Sequence, residues 1–356
     1  MQRELVLEAD KSVVEGMGRA FEAMLEEAKQ QAKAAVDSPA TAVHDYRRAI
    51  RRAESVALLA WPLMRKPQRG WIGKALTQAR RRTRVLRDLD AVLPVMARLK
   101  ELELGDDEAL IALAVWLDEA RGEVASDELV AWRLRKNARS LAGLGEIFAV
   151  GLHAWADLDL VIESLRETYR RVRKAYAKAD ATRELDDVHA WRRATRALRY
   201  QLELMSSRPD LPMAAGLADA HVIFKSMVKE LGQVTDLIAM RGLLDEARAS
   251  VVGVDLKPLS RALSDLIVSR LERVFAEAGL TFAMKPRDFL ALENPSEGQD
   301  EDEGKDDGQD ADDDSTSETE KKDEAKAGQA EQAEAPVSGQ TGQAEQAPGQ
   351  ATPNAS

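Results

Sequence analysis

The sequence predicts an all-α protein with a disordered acidic C-terminal tail. Apolar residues recur with helical spacing through most of residues 1–292, as in the stripe formed by Val13, Met17, Phe21 and Met24. Ala, Leu, Arg and Glu dominate the composition and aromatic residues make up only 4% of the chain, which favours helices packed on helices. The strand-like run at residues 251–254 is too short to indicate a sheet.

Five helices are predicted in the first half of the chain. They span residues 3–36, a segment from a cap at Thr41 to Trp61 and Pro62, a segment from about Trp71 to Pro94, residues 109–120 and residues 128–144. Residues 37–39 stop the first helix, and residues 105–107 read as a stop and an N-cap. A loop is expected to pass through Pro67 and Gly70.

The second half predicts four more helices and a short closing segment. The helices span residues 160–179, 188–200, 213–248 and 258–278, and the closing segment spans 282–292. Trp116, Trp132 and Trp155 lie at helical spacing among Leu and Val, so we expect them in the core.

A motif with one His and three Arg occurs twice in the chain. His44, Arg47, Arg48 and Arg51 recur as His189, Arg192, Arg193 and Arg196, in each case 145 residues later. A repeat of this size predicts duplicated half-domains, at about residues 1–150 and 151–292, related by a pseudo-twofold axis.

The stretch from residue 44 to residue 87 is strongly basic. It contains 13 Lys or Arg against two acids, Asp45 and Glu54, and 11 of the 13 cations are Arg. On a helix, Arg47 and Arg51 leave the same face and repel each other, which suggests that an anion offsets the repulsion. The planar guanidinium donates to two phosphate oxygens at once, so the preference for Arg over Lys indicates phosphate.

Residues 293–356 form an acidic tail with a different composition from the rest. The tail has 19 acids and four lysines, a net charge of −15, which leaves 43 acids and 47 bases, net +4, in residues 1–292. With one Val and no aromatic residue, the tail is predicted to be disordered. One hypothesis is that it visits the basic surface as a polyphosphate mimic; the alternative is a solubilising tail.

Several classes of protein are excluded by composition. The absence of cysteine excludes disulfide frameworks and thiolate metal sites, and it agrees with a reducing compartment. The N-terminal residues lack an apolar core of the kind a signal peptide has, and no uncharged apolar run reaches 18 residues. We therefore expect a cytoplasmic protein without a membrane partner.

These motifs resemble the CHAD family, the conserved histidine α-helical domain. Each half of that family begins with His-x-x-Arg-x-x-x-Lys/Arg and continues to a basic helix that ends in an Arg-Asp or Leu-Gly…Asp element. The matching residues of the first half are His44, Arg47, Arg51, Arg52, Arg87, Asp88 and Asp90. Those of the second half are His189, Arg192, Arg196, Arg199, Tyr200, Lys225, Leu231, Gly232 and Asp236.

The resemblance implies two four-helix bundles whose basic faces line a shared groove that binds inorganic polyphosphate, and association with polyphosphate granules. Two positions depart from the family pattern, since Glu54 and Ala197 stand where cations are usual. Some relatives carry a triphosphate-hydrolysing CYTH module marked Glu-x-Glu-x-Lys. The nearest match here, at residues 101–103, lacks the Lys.

The basic rows and the resemblance together predict non-enzymatic polyphosphate binding without a cofactor. The predicted binding residues are His44, Arg47, Arg48, Arg51, Arg52, Arg80, Arg84, Arg87, His189, Arg192, Arg193, Arg196, Arg199, Lys225 and Lys229. A granule-associated scaffold that docks nucleic acid or an acidic protein is the alternative. Single-stranded nucleic acid requires aromatic platforms, for which Tyr46, Trp191 and Tyr200 are the candidates, each equally suited to the core.

Catalysis has little support in the sequence. There is no Gly-rich phosphate loop and no Gly-x-Ser-x-Gly motif, and His153 and His221 lack the spacing of metal ligands. Asp88, Asp90 and Asp236 are interpreted as partners of neighbouring arginines or as helix caps, with metal-dependent phosphohydrolysis as a weak alternative. His44 and His189 are either phosphate donors or helix-capping or core histidines, and their matching positions favour the donor role.

Overall fold

The computed structural model describes residues 6–8, 11–83, 93–101, 104, 107–124, 126–152, 158–211, 213–286 and 288–289. Met1–Glu293 form one compact unit and Asn294–Ser356 a second, and the second lies outside the described residues. The same holds for five residues singled out from the sequence, which are Arg84, Arg87, Asp88, Asp90 and Trp155, and for His153.

The described residues form helices and no strand, which confirms the predicted all-α class. The helices are α1 (Val13–Ala34), α2 (Pro39–Ala60), a 3₁₀ turn (Trp61–Leu63), α3 (Lys66–Arg81), α4 (Leu93–Glu101), α5 (Asp107–Val124), α6 (Asp127–Arg139), α7 (Leu144–Gly151), α8 (Leu158–Thr182), α9 (Leu185–Met205), α10 (Ala214–Ser250) and α11 (Lys257–Thr281).

Local capping explains where the first helices begin, and it corrects three predictions. Ser12 and Glu15 form a reciprocal capping box, so α1 begins at Val13 and not near residue 3. Helix α2 begins at Pro39, so Thr41 lies inside its first turn and does not cap it. The predicted loop at Pro67 and Gly70 is wrong, because proline is well tolerated in the first turn of a helix and here opens α3.

The helices of the two halves keep the spacing of the sequence motif. Helices α2 and α9 end at Ala60 and Met205, 145 residues apart, and they begin at Pro39 and Leu185, 146 residues apart. Helix α1 packs on α2, and α8 packs on α9 in the same way. The motif helices α2 and α9 therefore occupy matching places in the chain.

A single main core is shared by both halves. It contains buried residues of α1, α2, α3, α6 and α7 from the first half, and of α8, α9, the beginning of α10 and the end of α11 from the second. Phe21 stacks on Phe148 with ring centroids 4.1 Å apart, and Trp191 stacks on Phe275 at 5.3 Å. Because α2 contacts both α8 and α9, the halves pack against each other through the motif helix.

A second, smaller cluster joins α4 and α5 to the far end of α10 and the beginning of α11. Leu113 of α5, Leu244 of α10 and Leu263 of α11 are fully buried there. Trp116 packs partly buried against this cluster, in agreement with its predicted core role. The predicted core role of Trp132 is wrong, because 51% of this residue is exposed. The ammonium of Lys136 lies 4.9 Å from the centroid of its ring.

Within the described ranges, none of the helices combines the length and the apolar character that a membrane-spanning segment needs.

We predict that Phe148→Ala lowers the free energy of unfolding by about 3–5 kcal/mol, because it removes a fully buried ring from the stack with Phe21. Val150→Ala is the control, since Val150 lies on the same helix and is 77% exposed; it should change stability by less than about 0.5 kcal/mol. Urea unfolding measures both. Equal losses in the two variants would contradict the described packing of α7.

Candidate anion-binding site

The two motif helices are in direct contact. Helix α2 packs against α9, and the side-chain amide of Gln201 on α9 donates a 3.2 Å hydrogen bond to the backbone carbonyl of Ser55 on α2. Both residues are buried. The contact brings together basic stretches that are far apart in the sequence, and we call it the α2–α9 seam, defined by Arg52 and Ser55 of α2 and by residues 199–203 of α9.

A carboxylate lies between two arginines in this seam. Arg52 of α2 donates a hydrogen bond to Oε1 of Glu203, and Nη2 of Arg199 lies 3.2 Å from Oε2 of the same carboxylate. The Glu203 side chain is only 14% exposed, so solvent screens these ion pairs weakly. Arg52 and Arg199 were predicted as binding residues, but Glu203 was missed. The spacing of Arg199 and Glu203, four residues apart on one helix, was the available signal.

The ring of Tyr200 lies beneath both arginines. The guanidinium carbon of Arg199 is 4.7 Å from the ring centroid, and that of Arg52 is 5.6 Å away. These are cation–π distances, and Tyr200 is only 4% exposed. Tyr46 and Trp191 are also buried, so all three candidate aromatic platforms lie in the core.

His221 of α10 interacts electrostatically with Glu203, Arg199 and Lys225. Burial lowers the pKa of His221, and of its charged neighbours Glu203 acts in the opposite direction while Arg199 and Lys225 add to the lowering. Nε2 of His221 is buried and has no hydrogen-bond partner among the described residues. His221 was not predicted as a site residue; it lies four residues before Lys225 on the same helix face, and that spacing was the available signal.

Arg47 lies inside the protein and anchors the end of α3. It is 4% exposed, and its Nη1 donates to the backbone carbonyl of Arg80 at 2.6 Å and to the hydroxyl of Thr83 at 2.8 Å. The amide of Asn137 donates to the neighbouring carbonyl of Ala79 at 2.6 Å. The last carbonyls of a helix need such donors, and Arg47 thereby holds the C-terminal turn of α3.

Other predicted cations of the first half have acidic partners. Arg48 lies 3.3 Å from Asp45 and 4.0 Å from the buried Glu27, and Arg80 lies 3.3 Å from Glu54. The sequence showed only two acids in this basic stretch, but both of them, together with Glu27 of α1, lie beside its arginines.

In the second half, α9 and α10 meet through Arg192. Its Nη2 lies 4.0 Å from Oδ1 of Asp236, in agreement with the interpretation of Asp236 as a partner of arginine. A Cβ at Gly232 would lie 3.4 Å from the same Nη2, so the guanidinium lies directly against the backbone of α10.

The remaining predicted residues differ in how far solvent reaches them. Those exposed are His44, Arg193, Lys225 and Lys229, and those partly buried are Arg51, His189 and Arg196. Arg84 and Arg87 lie outside the described residues. Within the part of the chain that is described, no group of three or more His, Cys, Asp or Glu has the geometry to hold a metal ion.

The chain is similar to a known protein family and to a solved structure. The profile of the CHAD domain family matches residues 19–245. The crystal structure of the CHAD domain from the plant Ricinus communis is similar, with a TM-score of 0.52 and 18% identity over 80% of this chain and 96% of that chain. At this identity the likeness shows the fold alone. No curated protein sequence gives a significant match.

We predict that Arg47→Met lowers the free energy of unfolding by about 1–3 kcal/mol, since it leaves the Arg80 carbonyl and the Thr83 hydroxyl without their charged donor. Arg193→Met removes the same charge from an exposed position and should change stability by less than about 0.5 kcal/mol. Chemical denaturation compares the two. A loss in Arg193→Met as large as in Arg47→Met would refute the anchoring role.

Proposed function

The chain belongs to the CHAD domain family, and from this premise we propose that it binds inorganic polyphosphate on the basic surface around the α2–α9 seam. The proposed role is non-enzymatic, with retention of the polymer and association with polyphosphate granules as its consequence.

The observation that carries the proposal is the meeting of Arg52 and Arg199 from opposite halves around one anionic group. A carboxylate bridging two guanidiniums occupies the kind of position that a phosphate occupies between two arginines. Lys225 adds a cation of α10, since it acts together with Arg199 on the neighbouring His221. Cations from three helices therefore converge, as a linear polymer with one charge on every phosphate requires.

The predicted residues divide into two roles in this proposal. Arg47 is a positioning residue, because its described bonds hold the end of α3. Arg51, Arg196, Arg199 and Lys225 are proposed to contact phosphate oxygens directly. The other predicted contacts are His44, Arg48, Arg52, Arg80, Arg84, Arg87, His189, Arg192, Arg193 and Lys229.

Polyphosphate is favoured over single-stranded nucleic acid by the placement of the aromatic residues. Nucleic acid of that kind stacks its bases on exposed rings between cations. Tyr46, Trp191 and Tyr200 are buried and offer no such surface. A polymer without bases needs only the cations.

Charge reversal of two half-buried arginines tests the direct contacts. We expect Arg51→Glu combined with Arg196→Glu to weaken polyphosphate binding at least about a hundredfold, because two charge-assisted contacts, each worth about 1.5–3 kcal/mol, are replaced by repulsion. Arg261→Glu combined with Arg273→Glu on α11 is the charge-matched control, and both of its positions are exposed. Fluorescence anisotropy with a labelled polymer measures affinity, and circular dichroism checks the fold. An equal loss in the control would show that net charge alone drives binding.

Salt and competition distinguish the polymers. Binding of polyphosphate should weaken steeply with ionic strength, with a log–log slope of about 0.7–0.9 per phosphate contacted, because each contact releases counterions. Unlabelled RNA of equal charge should compete poorly. Flat salt dependence, or RNA competing as well as polyphosphate, would contradict the proposed function.

A further inference from the structure

We propose that Glu203 is an internal competitor for the anion position of the seam, so that polyphosphate must displace its carboxylate to reach Arg52 and Arg199. The inference rests on the proposed function and adds to it a residue that sets the affinity and the length preference of the site.

Two arginines hold the carboxylate of Glu203. Glu203 contacts an arginine of α2 through Oε1 and an arginine of its own helix through Oε2. Its charge thereby neutralises a pair of guanidiniums that the family pattern assigns to the basic face. A phosphate that approaches this pair meets an anion already in place.

The carboxylate of Glu203 leaves buried nitrogen atoms near the seam without hydrogen-bond partners among the described residues. Nε of Arg199 is buried without a hydrogen-bond partner among the residues described, and so is Nε2 of His221. Nη2 of Arg199 and Oε2 of Glu203 lie 3.2 Å apart and form an ion pair. This Oε2 accepts no hydrogen bond from the described residues, so the ion pair is not aligned as a hydrogen bond. Buried polar atoms without partners are costly. A phosphate offers more acceptor oxygens than a carboxylate and can satisfy donors that Glu203 does not.

The competition with Glu203 depends on the length of the phosphate ligand. The Glu203 carboxylate is tethered to α9, so its effective concentration at the two arginines is high, and a short phosphate competes with it at a disadvantage. A long polymer held by other cations, such as the exposed Lys225, gains a comparable effective concentration. Glu203 therefore disfavours short phosphates more strongly than long ones.

The alternative is that Glu203 only fastens α2 to α9. Removing one partner of a buried ion pair destabilises a protein whatever the pair does for binding. A structural role therefore predicts a lower melting temperature with no gain in affinity, and competition predicts that affinity rises.

Glu203→Gln tests the inference with two ligands, tripolyphosphate and a long-chain polyphosphate, by isothermal titration calorimetry on the full chain. We expect tripolyphosphate to bind about tenfold tighter to the variant, because one charge-assisted contact no longer has to be broken. The gain for the long chain should be smaller, since it draws on many cations. Glu167→Gln is the matched control, for it removes the same charge from an ion pair with Arg170 and Arg171 on α8.

The outcomes separate this inference from the proposed function. If the unaltered protein binds neither ligand, the proposed function is wrong. If it binds and Glu203→Gln brings no gain, or Glu167→Gln gains equally, the competitor role is wrong and the function stands. If Glu203→Gln does not fold, Glu203→Asp takes its place in the experiment. Aspartate keeps the negative charge but has a shorter side chain, so it reaches both arginines less well. It should show a smaller gain for tripolyphosphate, and an affinity equal to that of the unaltered protein would overturn the inference.

Discussion

The packing of α2 on α9 is the constraint on which the rest of the site depends. Each helix buries an apolar face in the shared core and carries an arginine-rich face beside it, so the contact brings like charges together. The repulsion is offset locally, by Glu203 between Arg52 and Arg199 and by the face of Tyr200 beneath both. Two arginines of different helices are thereby held together around one carboxylate and one ring.

The two halves balance their charges differently. The offset of 145 residues pairs position 54 with 199 and position 80 with 225. In the first half these are Glu54 and Arg80, which form an ion pair, whereas the second half has Arg199 and Lys225. At these two positions the second half therefore has two positive charges where the first half has an ion pair. The acid that pairs with Arg199, Glu203, also reaches across to α2.

The sequence predicted the helices of the second half well, because their apolar periods are long and unbroken. Helix α10 was expected over residues 213–248 and spans Ala214–Ser250. Pro67 misled the prediction because proline both ends helices and begins them. The motif located the cations, but the burial of Arg47 and the place of Glu203 depend on which helix faces meet. Which faces meet is a property of the tertiary structure, and the apolar period of a single helix does not predict it.

The central claim is that one polyphosphate chain lies across cations of both motif helices. A crystal structure with a bound polyphosphate of defined length tests it most directly. We predict phosphate oxygens within hydrogen-bond distance of arginines on α2 and on α9 in the same complex. Phosphates bound to only one of these helices, or only to the outer faces of α8 and α11, would contradict it.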